Sequence, residues 1–161
     1  MTGSGGLALI GASGGCGTTT IAIAVALAVQ RAGGSSVLAE LDLARGDIAG
    51  LLGVPRERSI ADLAEVSEDL TDTHVAAVAY PHRSGIRVLF APPPSCGGVW
   101  TRDAVQRLLI AARAAGFVVS DISGGLSEAA LGAVDQGAHP VVVAPATSAG
   151  ARRAALLAEA L

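Results

Sequence analysis

Residues 7–29 read LALIGASGGCGTTTIAIAVALAV, and their reading decides the fold. Residues 7–10 are a short apolar run of the buried-strand kind. Residues 11–17 follow with four glycines in seven positions, and Thr18, Thr19 and Thr20 then open an apolar helix. A glycine loop between a strand and a helix start is a phosphate-holding arrangement. Backbone N–H groups converge there, the helix dipole adds positive potential, and glycine permits close approach and left-handed dihedrals. The stretch does not read as a membrane span. Ser13, the glycines and the threonines leave only nine consecutive apolar residues, 21–29, too few to cross a bilayer. Residues 1–6 carry no basic side chain, so they are expected as a disordered lead and not as a signal peptide.

Working outward, the composition bounds what the chain can be. A length of 161 residues suits one domain with a real core; half the residues are hydrophobic, and aromatics make up only 2%. All eleven basic residues are arginine. The net charge of −3, with no basic stripe and no interleaved aromatics, gives no case for nucleic acid. Cys16 and Cys96 do not make a disulfide framework and fit a reducing cytoplasm. His74, His82 and His139 show no metal spacing with the cysteines. Trp100 is expected in the core. Arg152 and Arg153 are too small a cluster for a membrane-binding helix.

The remaining elements alternate. Helix is expected over 18–32, apolar nearly all round and therefore buried, ended by Gly33 and Gly34. Residues 36–41 are a buried strand delivering Glu40 and Asp42 at its C-terminal end. That is the sheet edge where open α/β folds bind ligands, so both acids are expected on the glycine loop's side. A short helix is expected at 47–52, stopped by Gly53 and Pro55. A second is expected at 59–70, capped by Ser59 with Asp62 three residues on. Residues 75–80 and 86–91 read as strands around the turn at 81–85, the second being the better core strand. Residues 92–98 form a breaker-rich loop. An amphipathic helix at 101–115, a strand at 117–122 ending at Asp121, a helix at 126–135, a strand at 139–144 and a helix at 146–161 complete the chain. The fold expected is three-layer α/β/α with a mainly parallel sheet, in one domain over 7–161.

Against the Walker A pattern GxxxxGK[ST], aligned on Gly17, the first Gly position is Ala12 and the Lys position is Thr18, while Thr19 matches. The core Gly14, Gly15, Gly17, Thr19, Thr20 resembles the deviant Walker A loop of the MinD/ParA ATPases, KGGxGKTT. The pattern's two lysines fall at Ser13 and Thr18, and the chain contains no lysine to replace them. The resemblance runs along essentially the whole chain. The family's VDxD strand end is AELD here; GIRVLFAPP resembles the GLxVLxAPP strand of the CpaE/TadZ subgroup; and FVVSDISGG has the Walker B form. The chain therefore resembles a MinD/ParA-like P-loop NTPase of the CpaE/TadZ or actinobacterial septum-site-determining kind, without the family's C-terminal part.

That resemblance implies a site and a role. Gly14, Gly15, Cys16, Gly17, Thr18, Thr19 and Thr20 would bind the nucleotide. Thr19 would ligate Mg²⁺ directly, with Asp42 and Asp121 holding it through water, and Asp42 would be the catalytic acid next to the attacking water. Loss of both lysines implies weak or vestigial binding of ATP or ADP with Mg²⁺, and no ATPase activity or a very weak one. The role implied is a cytoplasmic localisation factor for a Flp/Tad pilus or secretion machine, or for septum placement. It would act through protein partners and as a homodimer, recruited to a pole, a septum or a membrane-bound complex, with no integral membrane segment. The alternatives are a working Mg-ATP-dependent ATPase using Asp42, Thr19 and a partner's arginines, and a scaffold that binds no nucleotide.

Overall fold

The computed structural model describes residues 5–43, 45–93 and 100–161. Six strands, β1 (Gly6–Gly11), β2 (Ser36–Glu40), β3 (Tyr80–Pro81), β4 (Arg87–Leu89), β5 (Phe117–Ile122) and β6 (His139–Val143), form one sheet in the order β3-β4-β2-β5-β1-β6. All neighbours are parallel except β3, which pairs antiparallel with β4. The central strands β2, β5 and β1 are apolar on both faces because helices cover both. Among the described residues six α-helices do so: α1 (Thr18–Arg31), α2 (Ile48–Leu52), α3 (Asp72–Val78), α4 (Arg102–Ala112), α5 (Glu128–Asp135) and α6 (Ser148–Ala160).

Strand alternation sorts the core into two layers. Val37, Ala39 and Leu41 face the layer shared with α3, α4, α5 and Leu157 of α6. Leu9, Leu38 and Val119 face the layer of α1 and α2. The fold is thus the three-layer α/β/α arrangement expected. Each core strand lies within a residue or two of its expected place. Trp100 is buried, as expected. The two glycines after α1 end it: Gly33 takes φ +82, and the Gly34 N–H bonds the Val29 carbonyl.

Three expectations need correction. Residues 75–80 are not a strand: α3 covers 72–78, with the Thr71 side chain capping the His74 N–H. The run VAAV suits an apolar strand, but within it Val75 and Val78 are the buried residues, a spacing of three that fits a helix face. The expected hairpin survives only as the two residues of β3. Residues 59–70 form a 3-10 helix over Ile60–Val66, begun by the expected Ser59–Asp62 capping box. Helix α1 is not buried all round. Ala22 and Ala26 press on the sheet, where small side chains allow close approach, while Ile21 stays 40% exposed on the outer face because no second layer covers it. Residues 94–98 of the expected breaker-rich loop, with Cys96, lie outside the described residues, as do residues 1–4 of the expected lead.

Candidate functional site

The glycine loop leaves β1 and enters α1 at the C-terminal edge of the sheet. Gly15 and Gly17 adopt φ +72 and +92, left-handed values that only glycine takes without strain. Gly17 is the N-cap of α1 and offers no side chain, whereas Thr101, Ser127 and Thr147 cap α4, α5 and α6 with side-chain oxygens. The first turn of α1 therefore receives no side-chain cap from its N-cap residue, and its N–H groups face the loop. The loop is held at its base: the Ala12 N–H bonds the Val143 carbonyl at 2.8 Å, and the Gly125 N–H bonds the Gly11 carbonyl at 3.0 Å.

Thr18 is buried at the base of the cleft, and its hydroxyl lies 3.1 Å from the Cys16 thiol. Both side chains sit beneath Gly11, where an added Cβ would come within 2.6 Å of the Thr18 hydroxyl and 3.3 Å of the Cys16 sulfur. Gly11 is thus a loop-shaping residue that the sequence reading did not single out. Burial drives the Cys16 thiol upward, but hydrogen bonds from the Thr18 side chain and the loop backbone bring it below its ordinary range.

The acids arrive by strand register. Asp121 on β5 pairs with Leu9 of β1 on one side and Glu40 of β2 on the other. It is fully buried, and neither of its carboxylate oxygens has a hydrogen bond of ordinary geometry. Burial pushes its pKa up to about 6; the nearby Thr19 side chain pulls it down, and the charges of Glu40 and Asp42 add to the rise. Asp42, two residues past Glu40, accepts the Arg45 N–H at 3.1 Å, and its carbonyl accepts the Gly46 N–H at 2.9 Å.

Glu40, also expected at this edge, is committed elsewhere. It is fully buried and accepts the Ile48 N–H at 2.7 Å and the Ala91 N–H at 2.8 Å, joining β2 to the start of α2 and to the residues after β4. Burial raises its pKa, against those two bonds and the charge of Arg56.

A cleft of about 380 Å³ opens over the loop, lined by residues 13–20, Asp42, Arg45 and Ser123. The structure thus brings together Gly14, Gly15, Cys16, Gly17, Thr18, Thr19, Thr20 and Asp42, with Asp121 behind Thr19. Arg45 and Ser123 are additions. The signal for Arg45 was its position, three residues past a strand-end acid in a chain with no lysine. Among the described residues, no group of three His, Cys, Asp or Glu side chains is arranged to hold a metal.

No family model matches the chain, and no curated protein does. Solved structures do. A ParA family ATPase from Chlorobium tepidum superposes with TM-score 0.81 at 16% identity, over 96% of this chain and 66% of that one. The fold is that of the ParA/MinD P-loop ATPases. The septum site-determining protein MinD from Pyrococcus horikoshii, complexed with Mg-ADP, gives TM-score 0.74 at 16% identity, over 96% of this chain and 66% of that one. The kinase domain of the Escherichia coli tyrosine kinase ETK gives 0.78 at 21%, over 96% and 61%. The chain spans about two thirds or less of the length of these structures.

The charged residues among the cleft's lining are Asp42 and Arg45. No helix among the described residues is long and apolar enough to cross a membrane.

Proposed function

We propose that this chain is a localisation factor of the CpaE/TadZ or septum-site-determining kind, with residues 7–161 as a MinD/ParA-like domain. Its degenerate P-loop binds Mg-ATP or Mg-ADP weakly and hydrolyses ATP not at all or very slowly. The observation that carries this reading is the pairing of two features at one sheet edge. One is a glycine cradle under an α1 whose N-cap has no side chain. The other is a fully buried Asp121 carboxylate beside the Thr19 side chain, with no hydrogen bond of ordinary geometry among the described residues. The donor set fits Mg²⁺, which takes oxygen ligands and keeps several waters. Thr19 would contact it, and Asp42 and Asp121 would hold its waters. Asp42 is also the residue that would orient an attacking water, were hydrolysis retained. Ser13 and Thr18 in the lysine positions remove the side-chain charge that such sites use to stabilise a phosphoryl transition state. The function then lies in nucleotide-coupled binding of protein partners of a pilus, secretion or division machine, with a homodimer as the assembling unit.

Titration calorimetry on the purified chain tests this. Mg-ATP and Mg-ADP are expected to bind in roughly the 0.1–1 mM range, about 4–5 kcal/mol. Thr18→Lys is expected to tighten binding about tenfold by adding a charge-assisted contact. Phosphate release is expected to stay at background. A Mg²⁺-dependent turnover abolished by Asp42→Ala would establish the ATPase reading instead. Absence of binding in both forms would establish the scaffold.

A further inference from the structure

We infer that Arg45 is the phosphate clamp of this cleft: a guanidinium carried on the β2–α2 connection that takes over the charge of the two missing lysines and grips the terminal phosphate of the nucleotide. The inference rests on the nucleotide reading above and adds to it the group that makes a polyanion tolerable there.

Its position is the first argument. One terminal nitrogen of Arg45, Nη1, lies 3.7 Å from where a Cβ would stand on Gly14, and the other, Nη2, lies 3.9 Å from where one would stand on Gly124. The guanidinium therefore lies between the glycine loop and the segment that follows Asp121. Both residues it approaches are glycines, which add no side chain there. Gly124 takes φ +100, a conformation closed to most other residues.

The second argument is how the turn that carries the side chain is held. The Arg45 N–H is bound by the carboxylate of Asp42, and the following Gly46 N–H by the Asp42 carbonyl. Arg56 fixes the far side of this turn by donating to the Gly46 carbonyl at 3.0 Å. Asp42 thus sets the backbone of the turn that presents Arg45.

Charge balance is the third. Asp42 and the fully buried Asp121 put negative charge on the sheet side of the cleft. A polyphosphate entering there is repelled unless cations compensate. Mg²⁺ would serve the carboxylate side. On the opposite side, over Gly14, the group available among the lining residues is Arg45. A planar guanidinium with five donors suits phosphate oxygens, which it bonds in pairs. A lysine in the loop would project from inside the cradle; Arg45 reaches it from the β2–α2 connection.

The test compares the wild-type chain with Arg45→Ala, Arg45→Lys and a charge-matched control, Arg83→Ala, which changes an exposed arginine on the β3–β4 turn. Amide NMR titrations with Mg-ATP and Mg-ADP, followed at Gly14 and Gly15, read millimolar affinities directly, and thermal melts confirm that each variant is folded. Arg45→Ala is expected to weaken Mg-ATP at least tenfold. Arg45→Lys is expected to recover part of that loss, and Arg83→Ala to bind as the wild type does. If the wild type binds and Arg45→Ala binds equally well, the clamp is overturned while the nucleotide reading stands. If the wild type gives no shifts at several millimolar Mg-ATP, the nucleotide reading and the clamp fall together.

Discussion

Glu40→Ala is expected to cost the fold about 3–5 kcal/mol, from two buried N–H donors left without an acceptor and the void left by the side chain. The carboxylate is fully buried and accepts two N–H groups, those of Ile48 and Ala91, which belong to segments far apart in the chain. Truncation leaves both donors without a partner, each costing about 1–3 kcal/mol, and opens a void. The site is close-packed: a Cβ on Gly46 would come within 2.5 Å of the Glu40 Oε1. Domains of this size hold only about 5–15 kcal/mol in total, so the variant is expected to be marginally folded. Glu40→Gln keeps one acceptor oxygen and is expected to lose less, about 1–3 kcal/mol. Urea denaturation at pH 7 measures both. A midpoint for Glu40→Ala within error of the wild type would mean that the two N–H groups find other acceptors and that Glu40 is not a structural tie.

This prediction could not have been made from the chain as a string of letters. AELD presents two acids at a strand end, and alternation puts both on one face of the sheet. Nothing local says that the first is consumed by an N–H group 51 residues downstream while the second stays beside the cleft. Arg45 is similar: its relation to Gly14 and Gly124 exists only once β2, β1 and β5 lie side by side. What was legible is what local chemistry dictates. The glycine loop, the strand–helix alternation and the Ser59 capping box all follow from dihedral freedom, apolar periodicity and short-range hydrogen bonds. The error at 75–80 has the same origin in reverse. Four small apolar residues suit either a strand or a helix, and the sequence turn at 81–85 favoured a hairpin. The Thr71 cap and the burial of Val75 and Val78 decided for the helix.

Asp121→Asn is expected to stabilise the metal-free chain by about 2–3 kcal/mol at pH 7, the free energy that corresponds to a pKa raised from 3.8 to about 6. The sign follows from proton binding. Between about pH 4 and 6 the folded state holds a proton on Asp121 that the unfolded chain has released. For this group, then, stability is greatest below about 4, declines as pH rises toward 6, and is lowest above that, where a bare carboxylate must stay buried. Asparagine removes the charge at nearly constant shape. The advantage of the variant is therefore largest at neutral pH and shrinks as the pH falls through 6 toward 4. Glu40, Asp42 and Thr19 face the same carboxylate, and removing its charge also relieves the two acids. Melting temperatures of the two proteins from pH 4 to 8 measure the difference. An advantage that is absent at pH 7, or that does not fall with pH, would mean that Asp121 is not held as a costly buried charge. Addition of Mg²⁺ with ADP links this cost to the proposed function. A ligand at free concentration L that binds the folded state raises its stability by RT ln(1 + L/Kd), and a cation beside Asp121 would also offset the burial of its charge. The wild type is therefore expected to gain more on Mg-ADP addition than Asp121→Asn does. Equal gains would place the nucleotide on the loop without any help from this carboxylate, and the case for Mg²⁺ would then rest on Thr19 and Asp42 alone.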